Sequence, residues 1–142
     1  MSDYVAGFLF DKQLKNVALV RKEKPAWQKG RLNGIGGKIE PGETAYQAMR
    51  REFNEEAGLD IPDWEQYCTL RGEGWMVHFF WAVGDPTQVK TLTDEEIVVI
   101  DSNDMDDLPL MTNLVWLVPM AKTFITGAEC VHEFVINEIT MC

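Results

Sequence analysis

The sequence contains few soft metal ligands. Its 142 residues include two histidines and three cysteines, Cys68, Cys130 and Cys142, which stand far apart. There is no CxxC pair and no cluster of histidines, so a disulfide framework and a structural zinc site are both excluded. We therefore expect the cysteines to be reduced thiols in a cytoplasmic protein.

Basic residues are also scarce. The chain carries 13 lysines and arginines against 23 aspartates and glutamates, and its formal net charge is −10. Binding of a nucleic-acid duplex depends on a clustered basic surface, so we expect no duplex partner. A small polyanion is compatible with this composition, provided that a metal ion or a local basic patch offsets the repulsion.

Long apolar runs are missing as well. No stretch approaches the roughly 20 residues of a membrane span, and Asp3 and Asp11 interrupt the short apolar run near the start of the chain. We expect neither a signal peptide nor a membrane partner. The length fits one domain over residues 1–142 with a buried core, and the sequence does not decide between a monomer and a homodimer.

The hydrophobic patterning predicts a mixture of strands and helices. Strands are predicted at residues 4–10, 16–21, 65–71, 75–83, 96–100 and 130–139, and helices at residues 43–57 and 112–124. Thr112 is the expected N-cap of the second helix, and Pro119 predicts a kink or a break within it. This order of elements predicts an α/β fold, an α/β/α sandwich around a mixed sheet.

The first predicted helix carries three glutamates, Glu52, Glu55 and Glu56, at spacings that place like charges together. At 100° per residue they lie beside a core-facing stripe of apolar residues and not opposite to it. A solvated acidic face is one interpretation, since such pairs cost only a few tenths of a kcal/mol each, roughly. A cation site is the other interpretation.

The turn before this helix favours the cation site. Gly36 and Gly37 let the backbone approach a ligand closely, and Gly42 follows Pro41 in a second tight bend. A backbone carbonyl next to clustered carboxylates is a site of hard oxygen ligands. Such a site suits Mg²⁺, with Mn²⁺ as a substitute, and does not suit zinc.

These residues together resemble the signature of the Nudix hydrolases. That signature reads G-x5-E-x7-R-E-U-x-E-E-x-G-U, where U is a bulky apolar residue. Every specified position is present in this chain, at Gly37, Glu43, Arg51, Glu52, Phe53, Glu55, Glu56, Gly58 and Leu59. The resemblance implies a Nudix-type α/β/α sandwich. It also implies metal-dependent hydrolysis of a nucleoside diphosphate linked to a further group.

The resemblance also assigns roles within the signature. Glu52 and Glu56 would be metal ligands together with the carbonyl oxygen of Gly36. Glu55 would act as a further ligand or as the base for the attacking water. Glu43 and Arg51 would form a charged pair that braces the turn against the helix.

Other roles fall outside the signature. Lys38 is the expected phosphate contact, and Arg21, in the basic segment before the signature, is a second one. Relatives commonly take one more glutamate from a later loop. Glu95 and Glu96 both stand at a suitable place, and we prefer Glu96 as catalytic residue and metal ligand because it lies nearer the following strand.

The segment before the signature resembles that of the MutT-type enzymes, which hydrolyse oxidised purine nucleoside triphosphates. The matching residues are Trp27, Gly30, Arg31, Asn33, Gly34, Gly36, Gly37 and Lys38. The resemblance implies that Asn33 binds the purine and that Asn113 supplies a second amide, since an amide offers both a donor and an acceptor. Trp27 and Met76 are the further base-binding candidates.

Each of these base contacts has a structural alternative. Asn33 precedes a glycine and fits a turn, Asn113 fits a helix cap, and the tryptophans fit a core. The substrate also has alternatives. The leading hypothesis is Mg²⁺-dependent hydrolysis of a purine nucleoside triphosphate to the monophosphate and pyrophosphate. A hydrolase of ADP-ribose or dinucleoside polyphosphates is the second hypothesis, and a nucleotide sensor without turnover is the third.

Overall fold

The computed structural model describes residues 2–127 and 134–137. Its strands are β1 Ser2–Phe10, β2 Asn16–Arg21, β3 Leu32–Asn33, β4 Ile35–Lys38, β5 Glu65–Gly72, β6 Trp75–Val83, β7 Ile97–Asp101 and β8 Phe134–Asn137. Its helices are α1 Ala45–Ala57 and α2 Leu114–Ile125. The predicted strand at 130–139 is present over 134–137, and its remaining residues lie outside the described ranges. Cys130 and Cys142 lie outside them too, whereas Cys68 is buried in β5.

Strand β1 organises a mixed sheet. It pairs in parallel with β6 along its full length, and antiparallel with β4 through its first half and with β2 at its end. Strand β2 pairs with β3 and β7, while β5 and β8 extend the sheet beyond β6. Strands β3 and β4 are consecutive in sequence but join different partners, so the glycine-rich segment bridges two branches of the sheet.

The two faces of the sheet bury separate clusters of apolar side chains. Met49 and Phe53 of α1 pack with Val5 and Leu9 on one face. On the other face, Leu117 and other residues of α2 pack with alternate residues of the same strands. Because successive side chains of a strand point to opposite faces, one strand serves both clusters. The expected α/β/α sandwich with a mixed sheet is confirmed.

Helix α1 has well-defined ends. Thr44 and Gln47 form a reciprocal capping box, in which the backbone amide of each residue donates to the side chain of the other at 3.1 and 3.0 Å. Gly58 ends the helix in the left-handed conformation, at φ 72°. These two signals explain why the helix occupies residues 45–57 of the predicted range of 43–57.

Helix α2 differs from the prediction in two respects. It begins at Leu114, with Asn113 and not Thr112 at the N-cap, and it continues through Pro119 without a break. Proline has no backbone N–H, so the carbonyl of Val115 lacks its usual helical partner. Buried Leu114, Leu117 and other apolar residues hold the helix on the sheet despite this lost bond. No helix among residues 2–127 is long and apolar enough to cross a membrane.

Replacing Pro119 with alanine should therefore stabilise the protein. Pro119 is exposed, so the change leaves the core intact and restores one helical hydrogen bond. We expect the free energy of unfolding to rise by about 1–2 kcal/mol, after allowance for the greater freedom of the unfolded chain. Urea titration followed by circular dichroism measures it. Pro109→Ala, at an exposed proline outside the helix, is the matched control and should give no gain. Equal effects of the two changes would contradict this account.

Candidate functional site

Arg51 is the hub of the acidic helix. Its Nε and Nη2 donate to the two carboxylate oxygens of Glu43, at 2.6 and 2.8 Å. This bidentate pair connects the loop before α1 to the helix itself, and the hydrogen bonds from Arg51 lower the pKa of Glu43 to about 2. Glu43 is therefore ionised at neutral pH, and the charged pair expected from the sequence is present.

The remaining N–H groups of Arg51 bind two glutamates of α1 and strand β4. Nη1 donates to Glu52 at 2.9 Å and to Glu55 at 3.3 Å, while Nη2 donates to the carbonyl oxygen of Lys38 at 3.2 Å. One guanidinium thus binds the glycine-rich strand β4 and two of the three helical glutamates. Like charges on α1 are held together by an internal counter-ion.

Glu56 has no hydrogen-bonded counter-ion among the described residues, and Lys22 acts on it only through its charge. Its Oε2 atom is buried and accepts no hydrogen bond in the described part of the chain. Burial, followed by the negative charge of Glu52, raises the pKa of Glu56 to about 8. Burial also raises the pKa of Glu52. A carboxylate in this position gains stability from a cation, because a cation both supplies a ligand and offsets the neighbouring charge.

Two glycines make room for these groups. A Cβ on Gly37 would fall 2.6 Å from the carboxylate carbon of Glu52, so only glycine lets strand β4 lie against that carboxylate. At Gly36 a Cβ would collide with the backbone of Val5 in β1. The glycine pair in the signature therefore serves close packing on both sides of β4.

The structure differs from our preference for Glu96 as the additional glutamate from the later loop. Glu95 is 6% exposed, and its charge is close enough to Glu56 to raise that group's pKa. The side chain of Glu96 is 62% exposed and contacts Arg21 at 3.5 Å. The geometry therefore favours Glu95 over Glu96 as the carboxylate that joins the cluster on α1.

Glu95 also fixes a neighbouring segment. Its carboxylate accepts hydrogen bonds from Lys22 Nζ at 3.0 Å and from the backbone amides of Glu23 and Lys24, at 2.7 and 3.3 Å. Burial pushes the pKa of Glu95 upward, but these hydrogen bonds prevail and lower it. Glu95 thus connects the acidic helix to residues 22–24.

A cleft of about 710 Å³ lies next to the carboxylates. Its walls combine apolar and aromatic side chains with three amides and two lysines, and they include Tyr4, Lys22, Trp27, Gln28, Asn33, Gly36, Gly37, Lys38, Trp75, Val77, Met111 and Asn113. This composition is typical of sites for small organic ligands. Gly37 borders the cleft and abuts Glu52, so cleft and carboxylates form one continuous site.

Two predicted contacts do not line this cleft. Met76 lies between Trp75 and Val77 in β6, both of which line it, so strand alternation turns Met76 to the opposite face. Arg21 binds Glu96 and the carbonyl oxygen of Gly30 and is likewise not part of the cleft wall. Lys22, the residue that follows β2, lines the wall instead.

The two candidate amides, Asn33 and Asn113, both line this cleft. Met111 donates its backbone N–H to Leu32 at 2.9 Å, and this contact holds the start of α2 beside the strand that carries Asn33. Asn113 occupies the N-cap position but makes no capping hydrogen bond, and its Oδ1 is buried without a partner among the described residues. A capping role for the Asn113 side chain is therefore wrong. Asn33 bonds to its neighbours, as the turn alternative expects.

The residues fit a divalent metal by donor chemistry. A buried carboxylate oxygen of Glu56 lacks a partner, and Glu52 and Glu55 add further hard oxygen donors. Across residues 2–127 and 134–137, no three acidic, histidine or cysteine side chains yet converge as a metal-binding group. In this arrangement Arg51 and Lys22 supply the positive charge beside the carboxylates.

Comparison with known proteins identifies the family. Residues 2–121 match the family model of the NUDIX domain, and the chain belongs to this family. A segment of 43 residues is 46% identical to the oxidized purine nucleoside triphosphate hydrolase of Danio rerio. That segment makes up 30% of this chain and 28% of the fish protein.

Solved structures share the fold along most of the chain. A MutT structure from work on Aliivibrio salmonicida and Vibrio cholerae superposes with a TM-score of 0.69 at 19% identity, covering 88% of this chain and 96% of that one. The NUDIX domain of Shewanella oneidensis NrtR, complexed with ADP ribose, gives a TM-score of 0.75 at 18% identity, covering 87% of both chains. At these identities the similarity establishes the fold.

The crowded carboxylates predict stabilisation by Mg²⁺. A metal held by these carboxylates would bind the folded state preferentially, so saturating Mg²⁺ should raise the melting temperature by several degrees. Glu56→Gln removes the buried charge without changing side-chain size. It should abolish most of that rise and should raise the melting temperature of the metal-free protein. Differential scanning calorimetry with and without Mg²⁺ measures both effects. Glu73→Gln, at an exposed site, is the control with the same charge change. An undiminished metal response in Glu56→Gln would remove Glu56 from the metal site.

Proposed function

We propose that the protein hydrolyses purine nucleoside triphosphates, oxidised purines among them, to the nucleoside monophosphate and pyrophosphate in the cytoplasm, with Mg²⁺ as cofactor. One observation carries this proposal. A cleft with amide and aromatic walls is continuous with a carboxylate cluster, through Gly37 and Lys22. A base in the cleft would place its phosphates beside the carboxylates.

The carboxylate cluster is the metal-binding part of this proposal. Glu52, Glu55, Glu56, Glu95 and the carbonyl oxygen of Gly36 would hold the metal. When bound, Mg²⁺ would neutralise phosphate oxygens and lower the pKa of the attacking water.

The other residues bind phosphate and move a proton. Lys38 and Lys22 line the cleft with ammonium groups that can bind phosphate oxygens. The side chain of Glu55 is 57% exposed and bonded only to Arg51 in the described structure, so it can accept a proton from a water molecule. Arg51 keeps Glu55 beside Glu52 and is itself a positioning residue. Water would attack the α- or the β-phosphorus and give its proton to Glu55, and the anhydride bond between these two phosphorus atoms would break. Attack at either atom gives the nucleoside monophosphate and pyrophosphate.

The cleft wall supplies the base contacts. Asn113 offers a buried acceptor atom without a partner, and such an atom is costly unless a ligand donor reaches it. Trp27 is 70% exposed at the cleft and Trp75 lies in its wall, so both offer ring surface to a purine. The partial similarity to the oxidized purine hydrolase of Danio rerio supports this substrate class.

ADP-ribose is the second candidate substrate. The NrtR domain solved with ADP ribose shares the fold at a TM-score of 0.75, which is a similarity of fold and not of contacts. ADP-ribose lacks the triphosphate, and its hydrolysis yields two monophosphates. A sensor without turnover is the third candidate. The complete set of signature carboxylates favours an enzyme over such a sensor.

A nucleotide panel tests the proposal. Purified protein with Mg²⁺ is incubated with purine and pyrimidine triphosphates, 8-oxo-dGTP, ADP-ribose and a dinucleoside polyphosphate, and the products are separated by chromatography. We expect monophosphate and pyrophosphate from the purine triphosphates. Glu52→Gln should lower kcat by about two or more orders of magnitude, because the charge acts at the transition state. Exclusive hydrolysis of ADP-ribose would select the second candidate, and no hydrolysis at all would favour the sensor.

Glu95 and Glu96 make a matched pair for a second test. Glu95→Gln should lower kcat/KM by at least about tenfold, because Glu95 lies beside Glu56 and orders residues 22–24. Glu96→Gln should stay near wild type, because that carboxylate is exposed and bonds only to Arg21 within the described part of the chain. Steady-state kinetics at saturating Mg²⁺ measures both, with melting temperatures taken alongside. A larger loss in Glu96→Gln would assign this role to Glu96 instead.

A further inference from the structure

A chain of amides leads from the backbone into the cleft. The backbone N–H of Gly34 donates to Oδ1 of Asn33 at 2.8 Å, and Nδ2 of Asn33 donates to Oε1 of Gln28 at 3.3 Å. Gln28 belongs to the short helical turn Ala26–Gln28, and it lines the same cleft as Asn33 and Asn113. No local sequence pattern marks Gln28 as a functional residue.

The backbone amide fixes the direction of this chain. A main-chain N–H can only donate, so the atom of Asn33 that it meets must be the oxygen. The nitrogen of Asn33 then faces Gln28, and a nitrogen that carries hydrogens must meet an oxygen. The oxygen of Gln28 is therefore turned toward Asn33, and its Nε2 is turned away from it.

The side-chain nitrogen of Gln28, Nε2, can therefore donate to a ligand in the cleft. In residues 2–127 and 134–137, Nε2 of Gln28 has no protein acceptor, and the side chain is half-buried at the cleft. Asn113 supplies the complementary group, a buried Oδ1 without a partner. The cleft thus presents one oriented donor and one acceptor to a ligand.

This pair of groups distinguishes the two classes of purine. A 6-oxopurine such as guanine or hypoxanthine carries acceptors at O6 and N7 and a donor at N1. Adenine carries an amino donor at position 6 and an acceptor at N1. An amide donor placed to meet O6 of a 6-oxopurine would face the amino group of adenine, which is also a donor. The Asn113 oxygen would then face N1 of adenine, which is also an acceptor.

We propose that Gln28 is a specificity-determining residue that donates from Nε2 to O6 of a 6-oxopurine nucleotide, with its orientation set by Gly34 through Asn33. The assignment rests on the proposed function in one respect, which is that the cleft holds the base. It adds a residue and a direction of selection, toward the guanine and hypoxanthine bases and against adenine.

Gln28→Glu is the sharpest variant. A glutamate keeps an oxygen for Nδ2 of Asn33 but turns a second acceptor, in place of the donor, toward the cleft. Its added negative charge weakens all nucleotides alike, so the ratio of affinities isolates the base contact. Gln28→Ala removes the group altogether. Lys29→Gln, at an exposed neighbour outside the cleft wall, is the control.

Binding without turnover gives the primary readout. Affinities for GMP, IMP and AMP are measured by calorimetry without divalent metal, and melting temperatures check the fold. We expect the wild type and Lys29→Gln to bind GMP and IMP more tightly than AMP. Gln28→Glu should shift the GMP-to-AMP ratio toward AMP by roughly 10- to 100-fold, the range that one mismatched buried hydrogen bond gives. Gln28→Ala should lie between them.

The outcomes separate this inference from the proposed function. A Gln28→Glu protein that melts like wild type and keeps the wild-type GMP-to-AMP ratio within twofold overturns the assignment, whatever the enzyme hydrolyses. A wild type that prefers AMP, or binds no monophosphate, overturns it too. If the ratio shifts as expected but no triphosphate is hydrolysed, the role of Gln28 stands and the hydrolase activity fails. GTP and ATP kinetics should reproduce the shift in kcat/KM.

Discussion

The site depends on one guanidinium. Arg51 uses each of its five N–H groups, two on Glu43 and one each on Glu52, Glu55 and the carbonyl oxygen of Lys38. Lysine could not replace it, because an ammonium has three donors and no planar fork. This one side chain holds strand β4, the loop before α1 and the acidic face of α1 in a single arrangement.

The loop that carries Glu95 is attached to the C-terminal end of the same helix. The backbone amides of Lys90 and Leu92 donate to the carbonyl oxygens of Ala57 and Glu56, at 2.9 and 3.3 Å. These two bonds anchor the loop that carries Glu95 to the end of α1, and Glu95 in turn binds residues 22–24. A continuous run of hydrogen bonds links the carboxylates to the segment that carries Trp27 and Gln28.

Sequence reasoning succeeded where spacing alone decides the geometry. The α/β/α sandwich and the C-terminal end of α1 follow from the order and periodicity of the elements, and the pairing of Glu43 with Arg51 was implied by the resemblance to the Nudix signature. It failed where neighbouring residues compete for one position, as with Arg21 against Lys22 and Glu96 against Glu95. In those pairs a shift of one residue reverses the face of a strand or the burial of a side chain, and only tertiary packing decides. The Oδ1 atom of Asn113 has no partner among the described residues, and Asn33 bonds to Gln28. Both features depend on tertiary contacts that no local sequence pattern encodes.

The capped ends of α1 have a consequence for how such a protein can change over time. Thr44 with Gln47 and Gly58 fix where the helix starts and stops, so its residues cannot slide along the axis. One residue inserted between Thr44 and Glu52 would rotate all three glutamates by about 100° away from β4. Substitutions at those intervening positions leave the angles untouched. The length of this segment is therefore constrained more tightly than the identity of those exposed residues that take no part in the capping box or the Arg51 contacts.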